Sequence, residues 1–319
     1  MEQPTIVPLL ERRLIFVLGK GGVGRTTIAA ALGLLASRRG ARTVVAEVSA
    51  RGELPELFGV AARTAGVEVE VAPGLWTIQV DVQRTLHEYL RVYLPLRMLA
   101  DVVGATRLFG YLAAATPGLR ELLNAGKVWE LAQTQRRVPG TRPYDLVIVD
   151  APASAHALGL LTAPRSFART AQAGPIARQG GQIDAMLHDA GATALIGVAR
   201  PADAAVSELL ELRDALREQA ELELDLVALN ATPPGGIDRA DAAALEAALR
   251  RNGVLHGQAR AAVERALTED RGRRAAAEQA LRLERGLGSV PLLELPAIYA
   301  PIVGVAEIET LARQLAEAS

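Results

Sequence analysis

The chain has 319 residues, of which half are hydrophobic, and a formal net charge of −1. This balance gives neither the basic field typical of nucleic-acid binding nor a polybasic membrane anchor, and the absence of cysteine excludes disulfides and thiolate metal sites. The first residues lack a signal-peptide pattern, and there is no uninterrupted apolar stretch of about 18 residues. We therefore expect a cytoplasmic protein with no transmembrane segment and no nucleic-acid partner.

Short apolar runs separated by helical patterns indicate that strands and helices alternate along the chain. Continuous apolar runs are typical of strands that are buried on both faces of a sheet. Such an alternation predicts an α/β fold with a doubly wound, mainly parallel sheet. The predicted strands are LIFVL at 14–18, ARTVVAEV at 41–48, LWTIQVD at 75–81, YDLVIVDAP at 144–152, ATALIGVAR at 192–200, LDLVALNAT at 224–232 and SVPLLELP at 289–296.

Residues 83–137 interrupt this alternation, because they have helical periodicity and almost no strand signal. A second helical region covers residues 165–190, in which AGPIARQGGQ at 173–182 is expected to be irregular. The Ala-, Arg- and Glu-rich segment 237–286 also has helical charge spacing. The first two regions are predicted to insert into the sheet as a helical subdomain.

The stretch GKGGVGRTT at 19–27 lies between the first predicted strand and an Ala/Leu-rich helix. Its spacing fits a phosphate-binding loop, except that arginine stands where such a loop has lysine. The backbone N–H groups of the loop and the helix N-terminus form a cradle for an anion. We expect Thr26 to reach Mg²⁺ and Thr27 to contact the α-phosphate of a nucleotide. The predicted binding residues are Gly19, Gly21, Gly22, Val23, Gly24, Arg25, Thr26 and Thr27.

Arg25 and Lys20 are the two basic residues of this loop. Arg25 keeps the positive charge of the usual lysine but has a wider, planar head on a longer stem, so turnover is more at risk than phosphate affinity. Lys20 and Lys127 are the two lysines of the chain, in which arginine supplies the other basic residues. Lys127 is interpreted either as an exposed helical charge or as a residue with a role in coupling or in contacting the partner.

Lys20 stands at the second position of GKGGVG, which resembles the deviant phosphate loop. In that class this lysine reaches across a dimer interface to the partner's nucleotide. The resemblance narrows the class to dimerising ATPases such as MinD, ParA, the nitrogenase iron protein and ArsA, and implies ATP/ADP and Mg²⁺ as cofactors. It also implies catalytic roles for Lys20 and Arg25, which would offset the charge that develops on the transferring phosphoryl group.

Further stretches resemble the ArsA and tail-anchored-protein-targeting ATPase family, including its bacterial anion-transporting branch. DAPASAHALGLLTAP is similar to the family's switch II, which implies that Asp150 holds Mg²⁺ through water and that His156 reports the γ-phosphate state to the helical region. TPGLRELL at 116–123 resembles its Pro-Gly-x-x-Glu segment. LVALNAT and VPLLELP resemble segments that place Asn230 and Pro296 against adenine. By this resemblance residues 1–319 are a single ATPase domain that carries the helical insertions.

The sequence departs from the family at switch I. Where the family reads like TDPAHSL, with an aspartate that orients the attacking water, this chain reads EVSARGEL, and Ser49 takes the place of that aspartate in the predicted catalytic set. Glu47 and Glu53 are candidate substitutes. The cysteines that bind zinc or arsenite in members of the family are absent, which argues against metalloid transport.

Three functional hypotheses follow from these features. The leading one is a Mg-ATP-dependent dimer that hydrolyses ATP to ADP and phosphate and thereby opens and closes the helical subdomain. The second, motivated by Arg25 and Ser49, is a nucleotide-binding regulatory subunit with weak turnover that pairs with a catalytic paralogue. The third is a chaperone-like carrier of hydrophobic protein or lipid clients. The sequence leaves open whether the dimer is formed by like or by unlike chains.

Overall fold

The structure, a computed structural model, describes residues 6–48, 52–93, 118–136, 140–171, 174–251 and 256–317. Within these residues one sheet of eight strands has the order β3-β4-β2-β5-β1-β6-β7-β8. Neighbouring strands pair in parallel, except that β3 and β4 are antiparallel. The strands are β1 (Leu14–Gly19), β2 (Thr43–Glu47), β3 (Val69–Ala72), β4 (Leu75–Gln79), β5 (Leu146–Asp150), β6 (Thr193–Ala199), β7 (Leu226–Thr232) and β8 (Leu292–Pro296). The predicted α/β fold with a mainly parallel sheet is confirmed.

Helices cover both faces of this sheet. A short 3-10 helix, Val7–Glu11, precedes β1, and a π-helical turn, Leu216–Ala220, continues α7. The described α-helices are α1 (Arg25–Arg38), α2 (Leu54–Leu57), α3 (Val82–Tyr93), α4 (Leu119–Leu131), α5 (Ser154–Ala171), α6 (Pro175–Leu187), α7 (Asp203–Ala215), α8 (Arg239–Arg250), α9 (Gly257–Leu287) and α10 (Val305–Glu317).

Strand β1 lies in the middle of the sheet and is buried on both sides. Phe16 and its alternate neighbours belong to one hydrophobic cluster, while Ile15 and Val17 belong to a second cluster on the opposite face. Helix α1 packs close to this second face, because a Cβ atom on Gly33 would lie 2.7 Å from the Val45 side chain. The apolar residues of β1 therefore pack alternately into the two hydrophobic clusters on opposite faces of the sheet.

The described part of the predicted helical region packs against the first of these clusters. Trp129 of α4, Leu160 of α5 and Ile183 of α6 are buried in the same cluster as Phe16. Residues 94–117 of the expected insertion lie outside the described residues, and the division into a domain with insertions stays a prediction. In the described part of the chain, no helix combines the length and the apolar character needed to cross a bilayer.

Two local expectations have clear outcomes, and one strand was not predicted. The stretch AGPIARQGGQ was expected to be irregular, which is wrong, because α6 begins at Pro175 and a proline fits the first turn of a helix. Helices α8 and α9 confirm the helical reading of residues 237–286. Strand β3 was not predicted, because it is a short antiparallel edge strand that is only partly buried and so lacks a continuous apolar run.

Lys127 lies in a buried ionic network, so its interpretation as an exposed charge is wrong. Its side chain is 6% exposed, and its ammonium group lies 2.8 Å from Glu88 Oε2 and 3.1 Å from Glu130 Oε2. Glu130 also accepts a hydrogen bond of 3.0 Å from Nε of Arg136. The network joins α3 and α4, since Glu88 belongs to one helix and Lys127 to the other.

Arg136 extends the network to the edge of the sheet. Its side chain is 1% exposed and donates to both carboxylate oxygens of Glu68, just before β3. The Tyr144 hydroxyl, just before β5, donates to Glu68 Oε2 at 2.7 Å. Burial acts to raise the pKa of Glu68, but the hydrogen bonds from Arg136 and Tyr144 outweigh it and hold the pKa below its ordinary value of 4.5.

The lowered pKa of Glu68 predicts an acid-sensitive contribution to stability. This contribution is complete at pH values above the pKa that Glu68 has in the unfolded chain. It is lost as the pH falls through the pKa of Glu68 in the folded protein, which lies below 4.5. At neutral pH we expect Glu68→Gln to lower the free energy of unfolding by about 1–2 kcal/mol, measured by urea denaturation. The difference from wild type should disappear in acid. The exposed Glu70→Gln is the control, and a pH-independent effect of Glu68→Gln would contradict the assignment.

Candidate functional site

The glycine loop follows β1 and leads into α1, as the sequence predicts. Gly19 has a φ of +147°, and a Cβ atom there would lie 2.3 Å from the backbone oxygen of Val198. Gly22 and Gly24 also have positive φ angles, and Val23 between them is buried. These angles turn the chain sharply from strand to helix, which only glycine accommodates without strain.

Helix α1 begins at this loop without a side-chain cap. Gly24 is its N-cap residue, and its first turn, which holds Thr26 and Thr27, contains no acidic residue. The first N–H groups of a helix lack partners within the helix, and its dipole favours negative charge at that end. Together with the open space around Gly21, this arrangement suits an anion.

Thr26 and Asp150 lie together at the carboxyl edge of the sheet. The Thr26 hydroxyl donates a hydrogen bond of 2.6 Å to Asp150 Oδ2. Asp150 is 3% exposed, and no described residue donates a hydrogen bond to its buried Oδ1. Burial raises the pKa of Asp150 to about 6, an effect that Thr26 and Arg25 oppose. A hydroxyl and a carboxylate with an unpaired buried oxygen fit the ligand set that Mg²⁺ prefers.

Arg25 extends its guanidinium toward the chain that follows Asp150. Nη1 donates hydrogen bonds to the backbone oxygens of Ala151 and Pro152. Burial acts to lower the pKa of Arg25, and the neighbouring Asp150 and Glu208 carboxylates oppose this shift. An arginine guanidinium stays charged under such conditions. Arg25, which stands in place of the usual lysine of the loop, therefore joins α1 directly to the segment that resembles switch II.

Lys20 pairs with a carboxylate of its own chain. Its ammonium group lies 3.0 Å from Glu208 Oε2, on α7, and the two side chains are 40% and 30% exposed. The Ser154 hydroxyl donates to Glu208 Oε1 at 2.8 Å, which links α7 to the first residue of α5. Neither Glu208 nor Ser154 was predicted as a site residue from the sequence. The strand order explains why, since β6 pairs with β1 and thus brings the helix after β6 beside the loop.

The switch I candidates have different outcomes. Ser49 lies outside the described residues. Glu47 is 2% exposed, and its carboxylate accepts hydrogen bonds from the backbone N–H of Gly52 and of Leu54. Both Glu47 and Glu53 contribute to raising the pKa of Asp150, after burial, so both carboxylates lie near it. The Glu47 carboxylate thus holds the backbone that follows Ser49.

His156 is a surface residue near the helical region. Its side chain is 76% exposed, and Nδ1 lies 3.8 Å from Glu121 Oε1 on α4. Glu121 is the glutamate of the Pro-Gly-x-x-Glu segment, whose first residues lie outside the described range. The structure therefore brings together two stretches that the sequence analysis singled out separately.

Asn230 lies two residues before the end of β7, and Pro296 ends the neighbouring strand β8 at the same edge of the sheet. The Asn230 side-chain amide donates a hydrogen bond of 2.8 Å to the Val23 oxygen. A Cβ atom on Gly24 would lie 2.2 Å from this amide, so Asn230 contacts the glycine loop closely. Pro296 is exposed at the end of β8, which pairs with β7.

Comparisons with known proteins agree with this geometry. A family model described as "Anion-transporting ATPase" matches residues 12–227, a range that contains the loop, Asp150 and Glu208. ATPase BagA of Mycobacterium tuberculosis is 28% identical over 240 residues, which cover 72% of this chain and 68% of that protein. A Halobacterium salinarum protein named "Putative arsenical pump-driving ATPase" is 25% identical over 236 residues, or 70% of this chain and 36% of that relative.

The close approach of Gly19 to the neighbouring strand predicts a sensitive position. In Gly19→Ala the new Cβ would meet a backbone oxygen in a conformation that L-residues rarely adopt. We expect the free energy of unfolding, measured by urea denaturation, to fall by about 3 kcal/mol. Gly21→Ala is the matched control, because no atom lies within 4 Å of its Cβ position. Equal effects of the two substitutions would refute this explanation.

Proposed function

The chain belongs to the anion-transporting ATPase family, whose members are P-loop ATPases, and from that premise we propose that it binds MgATP and hydrolyses it to ADP and phosphate as a dimer. The observation that carries the proposal is the contact between Thr26 at the start of α1 and the buried Asp150 at the end of β5. The two residues belong to the two sequence stretches from which a magnesium-nucleotide site was predicted.

The glycine loop is the proposed phosphate site. Its positive φ angles and the uncapped N-terminus of α1 favour binding of the phosphates through backbone N–H groups. Gly21 and Gly22 leave open space above the loop, since a Cβ atom at either position would meet no atom of the described residues within 4 Å. We propose that Thr27, in the same first turn, contacts the α-phosphate.

Thr26 and Asp150 are the proposed residues for Mg²⁺. When bound, the ion would polarise the phosphate oxygens and offset negative charge as the γ-phosphoryl group transfers to water. Asp150 has an oxygen that accepts no hydrogen bond from the described residues, and burial keeps it away from bulk solvent. The Thr26 hydroxyl oxygen keeps its lone pairs while its hydrogen is donated to Asp150, so it could hold the ion without losing this hydrogen bond.

Asn230 and Pro296 are the proposed adenine contacts. Asn230 already contacts the glycine loop through Val23, which supports a nucleotide that extends from the loop toward β7 and β8. His156 and Glu121 would carry the nucleotide state to α4, because one belongs to switch II and the other to the helical region. The helical insertions, of which part lies outside the described residues, would open and close in response.

We propose that Lys20 acts on the nucleotide of the partner chain. Its ammonium group is partly exposed, so the side chain has solvent on one side in the separate chain. Binding across a dimer would exchange its carboxylate partner, Glu208, for a phosphate of the other subunit. Both interactions neutralise one lysine charge, which makes such an exchange feasible electrostatically.

Steady-state ATP hydrolysis at increasing protein concentration tests the proposed function. We expect the rate per chain to rise with concentration, because each site is completed by Lys20 of a second chain. Arg25→Lys, measured in parallel, should not increase this rate. Near-zero turnover of wild type that Arg25→Lys restores would instead favour a regulatory subunit that pairs with a catalytic paralogue.

Subunit mixing tests whether Lys20 acts across the dimer. We expect Lys20→Gln to lower kcat by about 100-fold, since it removes a charge from the transition state. Thr26→Val should also be inactive, because it loses the proposed metal-binding hydroxyl. A mixture of the two variants should hydrolyse ATP faster than either alone, since one chain supplies Thr26 and the other Lys20. A mixture that gives only the mean of the two separate rates would show that Lys20 acts within its own chain.

A further inference from the structure

Arg25 contacts two backbone carbonyls that follow Asp150, and we propose that it is a positioning residue for this switch II segment, not a ligand of the transferring phosphoryl group. The part of the inference that concerns turnover rests on the proposed function, because it requires MgATP at the loop. The part that concerns the order of residues 150–152 rests on the contacts alone.

The segment after Asp150 has few backbone partners of its own. Ala151 is 1% exposed, and its N–H donates a hydrogen bond of 3.3 Å to the Val17 oxygen. Pro152 has no N–H group and cannot add a further backbone bond. The side chain of Arg25 supplies donors to the oxygens of both residues. Ala151 is buried and Pro152 is half-buried, so their carbonyl groups have little access to water, and Arg25 satisfies the hydrogen-bonding need of this turn.

Arg25 and Thr26 act on the same segment from adjacent positions of α1. Thr26 fixes the carboxylate of Asp150 at 2.6 Å, while Arg25 fixes the backbone of the next two residues. The orientation of a buried carboxylate depends on the backbone that carries it. Holding that backbone in place therefore also holds Asp150 toward Thr26.

Arginine suits this task better than the lysine of other phosphate loops. A guanidinium is planar, keeps its charge when buried and has several N–H groups in fixed directions, whereas an ammonium group is compact and stands on a shorter stem. Since the guanidinium lies on the switch II carbonyls, the charge toward the phosphates is left to the backbone N–H groups and to Lys20. Substitution of Arg25 should then disturb the order of switch II more than it changes the affinity for ATP.

Hydrogen–deuterium exchange of the nucleotide-free protein tests the structural part. We expect Arg25→Gln to accelerate amide exchange in peptides covering 150–160 by roughly tenfold, because the carbonyl groups of Ala151 and Pro152 lose their donor. Arg25→Lys should give an intermediate acceleration. Peptides covering β6 should exchange as in wild type, which verifies that the variants fold. Arg39→Gln is the matched control, because it makes the same substitution at the exposed C-cap residue of α1.

Nucleotide binding and turnover test the functional part. We expect Arg25→Gln to leave the Kd for ATP without Mg²⁺ within about threefold of wild type, because backbone N–H groups hold the phosphates. The Mg²⁺ concentration for half-maximal turnover should rise about tenfold, and kcat should fall more than KM rises. In Arg25→Lys the Mg²⁺ concentration for half-maximal turnover should rise less than in Arg25→Gln.

Two results would overturn the inference. Unchanged exchange over 150–160 in Arg25→Gln would show that Arg25 does not hold the segment. A large loss of ATP affinity, of about 100-fold, would show that the guanidinium binds phosphate. If the wild-type chain binds no ATP, the proposed function fails, while the exchange comparison still decides whether Arg25 positions switch II.

Discussion

The parallel pairing of β1 with β5 on one side and with β6 on the other determines the surroundings of the glycine loop. The loop leaves the carboxyl end of β1, so its neighbours are the residues that follow β5 and β6. Asp150 ends the first of these strands, and the two carbonyls that Arg25 contacts directly follow it. Glu208, which pairs with Lys20, comes from the helix after the second. Shifting β1 out of this central position would separate every one of these groups.

Carboxylates outnumber cations in this site before any ligand is considered. Lys20 and Arg25 bring two positive charges, and four carboxylates, those of Asp150, Glu47, Glu53 and Glu208, lie around them. Lys20 already has a partner within the chain, Glu208, so a contact of Lys20 with a phosphate would require that this partner be exchanged. Exchange of this kind would couple anion binding to the position of α7, since the displaced carboxylate belongs to that helix.

Much of the fold follows from local sequence, while the contacts of the site follow from strand order. Continuous apolar runs identify β1 and β5 because both faces of each strand are buried. The edge strand β3 lacks this signal, since it is partly exposed and depends on β4 for pairing. The glycine loop and Asp150 can be recognised one stretch at a time. The pairing of Lys20 with Glu208 cannot, because 188 positions separate them and only the β1–β6 contact brings them together.

The scarcity of lysine gives this chain an unusual chemical surface. Of its two lysines, Lys127 is enclosed by Glu88 and Glu130 with 6% of its side chain exposed. Lys20 is the accessible one, with 40% of its side chain exposed at the glycine loop. A reagent that acylates primary amines will thus react, apart from the N-terminal amine, at one side chain of the folded protein. The reactivity of that single amine reports directly on whether Lys20 is held by Glu208, is exposed to solvent or is covered by a partner chain.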